Sequence, residues 1–582
     1  MSDWSGLSRR GFLRAGAIGV AGVAGAALIG CTGDDDDDAP APAATQAAAT
    51  ATPAAATAAA TAEPTPTPTE APAGPKSGGT LVWAMESWIG NSDPHSVGNW
   101  VTHRTKDQMS DKLIEADLTV PPHTRQPDYT DPLQPIVMKL AESMEVSDDG
   151  LEYTFKLRRG AKFHDGTDVN AEAVNRNYDR FWRADTDISF TQVSGWGHPQ
   201  LHQHTDRVEV VDDYTIKMVN NRFFPDFLSL WTQSLFGNYI VSPTQIEKVG
   251  NEDFANAPVA SGPFKFNERV EDERLVFDRN EDYWGEKAFL DRLIMIPRGE
   301  PATRVTALQT GEADIIWVVP PDSIPQLLDQ GFKVVQGLVP HIWWITMNPR
   351  NESFQDLRVR QALQHGMDRP GIATDLLRDT VIPAYGPNVP GQPAFDPDYV
   401  SYAYDPAEAK KLLSAAGVES IEDTWWFPSA GSGNLLPVQM AQWMQSKYAE
   451  IGFNMGAEIV EWNAFGSMWP DLYTDGASAS GSWGMAVNWW GNVFALNNGV
   501  WNSMPEAIGD EAMDILDRAQ FETDPDASNE LYRDANRRIM DQAYALPVVH
   551  DSAPIGMRDE VQGFVHVAVQ WNDMSIVWLE DA

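Results

Sequence analysis

The sequence predicts a mixed α/β body, formed by residues 76–582, that follows an export leader and a tether. Three observations lead to this prediction. Strand-like and helix-like segments alternate along the body. The body is too long for one hydrophobic core, and it contains no apolar run of about 18 residues that would span a bilayer. We therefore expect two or three domains that fold in water.

Residues 1–30 have the features of an export signal. Arg9 and Arg10 form a twin-arginine pair, which is followed by a small, apolar and uncharged run over residues 15–30. This run is shorter than the roughly 20 residues that a membrane-spanning helix needs. Its length is typical of the apolar core of a signal peptide, so we expect export from the cytoplasm.

Cys31 is the only cysteine of the chain, and it follows the apolar run directly. With the small residues before it, it resembles the processing site of bacterial lipoproteins, where the cysteine takes a diacylglycerol and becomes the first mature residue. An uncleaved membrane anchor with an incidental cysteine is the alternative. Under either interpretation the chain forms no internal disulfide and no cysteine-based metal site.

The composition of residues 31–75 predicts a disordered tether. Five aspartates, Asp34–Asp38, precede a segment that is nearly all Ala, Thr and Pro. Such a segment lacks the large apolar side chains that offset the entropy of ordering, and its prolines keep it extended. We expect it to hold the body away from the bilayer. An interaction tail is the alternative.

The chain carries a formal net charge of −41, from 42 Lys and Arg against 83 Asp and Glu. This charge repels phosphates, which argues against a nucleic-acid partner. It also disfavours peripheral binding to anionic lipid, so a covalent anchor explains membrane attachment better. The predicted location is extracytoplasmic, with a lipid anchor in the cell membrane at the periplasmic face or the cell surface.

Several segments of the body have clear secondary-structure signals. Strands are predicted at 80–84 and 151–157, and a hairpin at 208–218 with its turn at Asp212–Asp213. Helices are predicted at 171–182 with Asn170 as N-cap, at 302–310 ending at Gly311, at 356–367, and at 405–416 ending at Gly417.

Six blocks of the body match motifs of one known family in the order in which that family has them. They are 76–82 (Lys-Ser-Gly-Gly-Thr-Leu-Val), 93–95 (Asp-Pro-His), 141–166, 261–265 with 279–285, 303–314, and 354–363 with 367–369. Together they resemble the family 5 extracellular solute-binding proteins of ABC importers, the dipeptide and oligopeptide type. The resemblance covers about residues 76–582.

The resemblance implies a two-lobed periplasmic-binding-protein clamp of type II, in the cluster with an extra subdomain in lobe one. Lobe one would comprise 76–108, 255–340 and 549–582, and lobe two would comprise 341–548. The inserted subdomain would comprise 109–254. The chain would cross to lobe two near Val339–Ile345 and return near Pro547–Ser552.

The resemblance also implies a function. The lobes of such a protein close on a solute and deliver it to the permease subunits of an ABC transporter, without enzymatic activity or a cofactor, and the protein is expected to be a monomer. A secreted, lipid-anchored enzyme acting on glycans is one alternative, and a structural or signalling lipoprotein is another. A metal site at His202 and His204 is a further alternative to the expected absence of metal.

The chain contains 22 tryptophans, about three times the average usage. Aromatic walls with a few polar groups are typical of clefts that hold organic ligands, whereas core packing is the alternative for each tryptophan. The predicted ligand-binding residues are Trp88, Asn91, Trp343, Trp425, Trp483, Asn488, Trp489 and Trp490.

The segment 480–492 separates two classes of solute. In peptide-binding members of the family the matching loop carries an aspartate that pairs with the α-amino group of the peptide. Here there is no acidic residue between Asp475 and Glu506. A buried ammonium without a partner is costly, so the sequence favours a neutral, hydroxyl-rich solute such as an oligosaccharide over a peptide bound in the usual way. Both classes remain open.

Overall fold

The structure is a computed structural model. It describes residues 74–88, 91–96, 100–119, 136–183, 186–190, 204–224, 227–232, 238–339, 341–390, 392, 394–430, 435–462, 464–465, 467–468, 472, 477–484, 509–567 and 571–581. The predicted leader, Cys31 and the tether up to Ala73 lie outside these residues, and so do Asn488, Trp489, Trp490 and His202.

The strands alternate with helices along the described chain. The strands are β1 (Thr80–Met85), β2 (Ile114–Ala116), β3 (Ile136–Met138), β4 (Ala141–Val146), β5 (Glu152–Leu157), β6 (Thr205–Asp212), β7 (Thr215–Asn220), β8 (Phe264–Val270), β9 (Arg274–Arg279), β10 (Arg292–Pro297), β11 (Ile315–Trp317), β12 (Lys333–Val335), β13 (His341–Thr346), β14 (Ile382–Pro383), β15 (Ile421–Pro428), β16 (Phe453–Val460), β17 (Ser478–Gly484), β18 (Ala545–His550), β19 (Ile555–Met557), β20 (Val561–Gln562) and β21 (Trp578–Leu579).

The helices lie between the strands along the chain. The α-helices are Trp100–Met109, Ala171–Phe181, Phe227–Trp231, Pro243–Val249, Pro301–Thr310, Ile324–Asp329, Leu357–Gly366, Arg369–Gly371, Pro406–Ala416, Pro437–Glu450, Asp510–Gln520 and Pro525–Asp541. Ile372–Leu376 is a π-helical turn. Short 3₁₀ turns lie at Phe254–Asn256, Pro321–Ser323, Glu352–Phe354 and Met574–Ile576.

Lobe one is built on a seven-stranded mixed sheet in the order β12-β19-β11-β1-β10-β9-β8. β1 is central and runs parallel to both β10 and β11. It is covered on both faces, which explains its nearly continuous apolar sequence. Leu81, Trp83 and Met85 belong to the main core, whereas Ala84 packs on the other face with Val305 and Leu308 of the helix Pro301–Thr310.

Lobe two is built on a six-stranded sheet in the order β14-β18-β13-β17-β15-β16. β15 is parallel to β16 and β17, whereas β13 is antiparallel to β17 and β18. The chain leaves the lobe-one sheet after Val335 and enters the lobe-two sheet at His341. It leaves again at His550 and re-enters lobe one at Ile555. The predicted two-lobed fold is confirmed, and the residue boundaries assigned to the lobes remain predictions.

A separate four-stranded antiparallel sheet in the order β4-β5-β7-β6 lies within the predicted subdomain. Asp111 ties this region to lobe one, because it accepts hydrogen bonds from Tyr283 Oη (3.0 Å) and Trp284 Nε1 (2.9 Å). The Arg158 guanidinium lies 5.0 Å from the Trp284 ring centroid. Gly262 makes a close approach here, since a Cβ on it would lie 2.5 Å from the Met109 carbonyl carbon.

The local predictions are confirmed with shifts of a few residues. Asn170 caps the helix Ala171–Phe181 by accepting from Ala173 N at 2.8 Å. Asp405 caps Pro406–Ala416, which ends at Gly417 with a φ of 75°. The hairpin turn lies at Asp213–Tyr214 rather than at Asp212–Asp213, because Asp212 remains in β6 and its carboxylate accepts from Tyr214 N at 2.8 Å.

Candidate functional site

In both lobes the parallel strands have their carboxyl ends at the edge of the sheet that lies next to the segments crossing between the lobes. In lobe one, Trp317 at the end of β11 pairs with Ile555, the first residue after the return crossing. β1 is parallel to β11, and β10 is parallel to β1. Both strands therefore end at the same edge as β11. In α/β sheets ligands bind outside the carboxyl ends of the strands. This edge therefore defines one wall of the candidate site.

The lobe-two sheet has the same arrangement. Gly484 at the end of β17 pairs with His341, and His550 at the end of β18 pairs with Ile342. β15 and β16 are parallel to β17, so their carboxyl ends also lie at the edge next to the crossings. The second wall of the candidate site is this edge.

The two crossing segments lie side by side and are hydrogen-bonded to each other. Val339 N donates to Asp551 O at 3.1 Å, and Asp551 N donates to His341 O at 2.9 Å. The Asp551 carboxylate accepts from the backbone of Ser552 (2.7 Å) and Ala553 (3.0 Å), and its other oxygen lies 3.4 Å from His341 Nδ1. These contacts make the crossing a defined hinge, around which lobe closure is expected to occur.

The wall of lobe one carries a buried ion pair directly after β1. Both oxygens of Glu86 accept from Arg104 Nη1, at 2.8 and 3.0 Å, and both side chains are buried. The Arg104 guanidinium lies 3.9 Å from the Trp317 ring centroid. Burial lowers the pKa of Arg104, and the Glu86 carboxylate opposes this shift. The charges of this pair are satisfied within lobe one.

Trp88 and Asn91, two predicted ligand residues, lie on the segment that follows β1. Trp88 is half-buried and donates from Nε1 to Glu271 Oε1 at 2.8 Å. Asn91 Oδ1 accepts from Asp93 N at 2.7 Å. The Asp93 carboxylate in turn binds Arg180 at 2.9 and 2.5 Å, which fixes the segment to the helix Ala171–Phe181. Their predicted contact with a solute stays a prediction.

Trp343 and Trp425, the next two predicted residues, lie in the lobe-two sheet and are buried. Trp425 packs against Tyr448 and Phe453 with ring centroids 5.5 and 5.2 Å apart, and it donates to Asp423 Oδ2 at 3.1 Å. Trp343 belongs to the same main core. These positions give both tryptophans a packing role, and their ligand contacts remain predictions that we do not carry into the proposal below.

The backbone of Trp483 belongs to β17, where it pairs with Ile342 next to the hinge. β17 ends one residue later, at Gly484. Asn488, Trp489 and Trp490 follow in the sequence and lie outside the described residues, so their predicted role stays a prediction.

Sequence reasoning did not identify the partners of two buried groups in this region. Glu86 directly follows a recognisable strand, but nothing in the sequence relates it to Arg104. His341 and Asp551 are separated by about two hundred positions and meet only at the hinge. A carboxylate at a strand end was the one usable signal, and it is too common to single out either group.

Among the described residues there is no cluster of three or more His, Cys, Asp or Glu side chains that would hold a metal ion. His204, half of the alternative metal pair, packs against Phe224 and Phe521 with ring centroids 5.8 and 5.1 Å away. Within the same part of the chain, each helix is too short or too polar to cross a bilayer.

Residues 135–506 match the model of the bacterial extracellular solute-binding proteins, family 5. The haem-binding protein A of Haemophilus influenzae is 28% identical to this chain, covering 73% of the chain and 81% of that protein. The dipeptide-binding protein of Escherichia coli K12 is 26% identical, covering 77% and 87%. The chain therefore belongs to family 5 of the extracellular solute-binding proteins.

Solved structures agree with the fold. The periplasmic binding protein DppA of Helicobacter pylori, in complex with the peptide STSA, superposes with a TM-score of 0.75 at 23% identity, covering 87% of this chain and 99% of that one. MoaA of Agrobacterium strain R10, in complex with mannopinic acid, superposes with a TM-score of 0.72 at 23% identity, covering 87% and 100%. The predicted class and function are confirmed: this is an extracytoplasmic solute-binding protein of an ABC importer.

Proposed function

We propose that this protein captures a polar organic solute without a free α-amino group between its two lobes and delivers it to the importer. A peptide with a blocked amino end and an oligosaccharide both fit this class. The proposal rests chiefly on the segment 476–505, which contains no acidic residue and which includes β17, the strand that ends next to the hinge at Gly484. A solute ammonium in the cleft would find no carboxylate on this segment.

The opposite wall supports the same solute class. The buried acidic groups after β1, Glu86 and Asp93, are bonded to Arg104 and Arg180. A carboxylate that already has a guanidinium partner is a poor counter-ion for a second cation. Trp88 and Asn91, on the same segment, offer an aromatic surface and an amide, which suit hydroxyl and amide groups.

Isothermal titration calorimetry tests the solute class. The titrants are a tetrapeptide, its N-acetylated form, and cello- and xylo-oligosaccharides of matched length, with the dipeptide-binding protein of Escherichia coli as a control for peptide binding. If the solute is a peptide, we expect the tetrapeptide and its N-acetylated form to bind with equal affinity. If the solute is an oligosaccharide, we expect one of the oligosaccharides to bind. Tight binding of the free peptide that acetylation abolishes would contradict the proposal. Native mass spectrometry of the purified protein identifies a retained solute independently.

A pair of variants tests the predicted wall of lobe one. Trp88→Ala should weaken solute binding about tenfold, which corresponds to about 1.4 kcal/mol. Trp182→Ala is the matched control, because Trp182 is also half-buried but packs on Tyr178 at the end of the helix Ala171–Phe181. Equal effects of the two variants on affinity would remove Trp88 from the site.

We further propose that export through the twin-arginine leader ends with a lipid on Cys31, which keeps the two lobes near the permease. Mass spectrometry of the N-terminal peptide should find diacylglyceryl-cysteine, and Cys31→Ser should move the protein from the membrane fraction to the soluble fraction. Replacing Arg9 and Arg10 by lysine should block export. An unmodified Cys31 in a chain that retains residues 1–30 would contradict this proposal.

A further inference from the structure

Besides the hinge, a second contact joins the two lobes at the end of the helix Asp510–Gln520. Phe521, the residue after this lobe-two helix, packs against both His204 and Phe224, which flank the hairpin β6–β7 of the subdomain. The ring centroid of Phe521 lies 5.1 Å from that of His204 and 6.3 Å from that of Phe224. The His204 ring stands nearly perpendicular to it, at 76°, which is a favourable edge-to-face arrangement.

Arg222 completes this contact. Its guanidinium carbon lies 3.1 Å from the Phe521 ring centroid, and its Nη1 lies 4.0 Å from Asp517 Oδ1 on the same lobe-two helix. A cation over an aromatic face is attracted by the ring quadrupole, most strongly where water is excluded. Burial and the neighbouring Arg222 lower the pKa of His204, so at neutral pH its ring packs as an uncharged aromatic.

We propose that His204, Arg222, Phe224, Asp517 and Phe521 form a clasp that holds the lobes closed, with Phe521 as its central side chain. The proposal rests on the solute-binding function above. Closure must be favoured by contacts that exist only in the closed state. The hinge contacts between the crossing segments join residues that are adjacent in both states. The clasp joins residues that separate when the lobes open.

A third contact between the lobes is expected to act with the clasp. Arg378 of lobe two donates from Nε to Asp322 Oδ1 of lobe one at 2.7 Å. Both side chains are exposed, so this pair is screened by solvent and is the weaker of the two contacts. The clasp, which has apolar packing as well as charge, is therefore the contact whose loss should open the lobes.

The clasp acts on closure without touching the solute in the proposed site. Phe521→Ala should raise the population of open lobes in the solute-free protein, and it should increase the dissociation rate of a bound solute about tenfold. The association rate should change little. Phe521→Leu, which keeps an apolar side chain but loses the aromatic face, should give an intermediate result.

Pulsed electron paramagnetic resonance measures the opening directly. Because Cys31 is the only cysteine, the full-length chain carrying Cys31→Ser, Thr306→Cys and Lys410→Cys places one spin label on an exposed helix position in each lobe. The distance distribution is recorded without added solute for the parent, Phe521→Ala, Arg222→Ala and the double variant. We expect longer distances in each single variant and a non-additive effect in the double variant.

Arg518→Ala is the matched control for Arg222→Ala. Arg518 is an exposed arginine of the helix Asp510–Gln520, and it pairs with Asp514 rather than with Asp517. An unchanged distance distribution in Phe521→Ala, with the thermal stability retained, would overturn the clasp. This test of the clasp is independent of the test of the solute class. Longer distances in a protein that binds none of the tested solutes would support the clasp and contradict the solute class.

Discussion

The hinge-facing edges of the two lobes differ in chemistry although they share a topology. After β1, lobe one carries buried charges that are bonded in pairs, Glu86 with Arg104 and Asp93 with Arg180. Burial by itself would raise the pKa of Asp93, but Arg180 and His95 hold it below its usual value. In lobe two, Trp343 and Trp425 pack in the apolar core, and the Asp423 carboxylate accepts a hydrogen bond from Trp425. Ion pairs thus hold the segment after β1 in lobe one, whereas apolar packing surrounds Trp343 and Trp425 in lobe two.

We expect this difference to give the two walls of the candidate site different roles. Paired charges specify one arrangement of the segment after β1, because each alternative arrangement would leave a charge buried without its partner. Aromatic packing around Trp343 and Trp425 specifies the shape and volume of the lobe-two core. We therefore expect lobe one to set the position of the solute and lobe two to set its chemical class.

The largest effect is expected from breaking the pair in lobe one. Arg104→Met removes the guanidinium to which Glu86 is bonded and should lower the free energy of unfolding by about 3–5 kcal/mol, as measured by urea denaturation. Lys156→Met is the control, because its pair with Glu145 is exposed. The control should change stability by less than about 1 kcal/mol. Equal losses in the two variants would contradict the stabilising role of the buried pair after β1.

A smaller effect is expected from a change of shape in the core of lobe two. Trp425→Phe removes the hydrogen bond to Asp423 and part of the packing on Tyr448 and Phe453, which should cost about 2 kcal/mol at low and at high salt alike. Trp426→Phe, at the neighbouring half-buried position on the other face of β15, should cost less. A salt-dependent loss in Trp425→Phe would show that this core depends on charge.

Each lobe contains a histidine that makes the fold sensitive to acid. Burial lowers the pKa of His550, the last residue of β18 in the lobe-two sheet, to about 3, and it lowers the pKa of His164 in the lobe-one region to about 4. In the unfolded chain both titrate near about 6.5. Below that pH the unfolded state binds a proton that the folded state does not, so stability falls as the pH decreases, by about 1.4 kcal/mol per unit for each group.

His550→Gln and His164→Gln should each flatten the decline in stability between neutral and acidic pH, and the two changes should add because the residues lie in different regions. Thermal denaturation across this pH range measures the slopes. If neither substitution changed the slope, the acid sensitivity would have to come from other groups.

The smallest effects are expected at features that the two regions share, the helix N-caps. Asn170→Ala and Asp405→Ala each remove a side-chain acceptor from the first turn of a helix and should cost about 1 kcal/mol. Replacement of the same residues by glycine should cost only a few tenths of that amount. A larger loss at one cap than at the other would indicate an additional contact there.

Local features of the fold were predictable because their causes are local. Asn170, Asp405, Gly311 and Gly417 begin or end helices through contacts within one turn, and the sequence alone places them within a residue or two. The hairpin turn was wrong by one position. The carboxylate of Asp212 binds the backbone of Tyr214, and this moves the turn toward the C-terminus.

The candidate site was predictable only in outline. The tryptophan clusters led to Trp343 and Trp425, whose side chains pack in the core, because an aromatic side chain near a hinge has the same sequence signal whether it faces a ligand or a sheet. Glu86 and Arg104 were missed, since the pairing of two charges depends on where the helix after β1 packs.

By itself, the sequence determined the alternation of strands and helices, the family, and the absence of an acidic residue from the segment 476–505. These properties follow from residue types and short spacings. Only the tertiary structure decided that His341 meets Asp551 at the hinge and that Phe521 meets Arg222 across the lobes. Such contacts join residues about two or three hundred positions apart, and their free energy depends on the packing of whole lobes rather than on any local pattern.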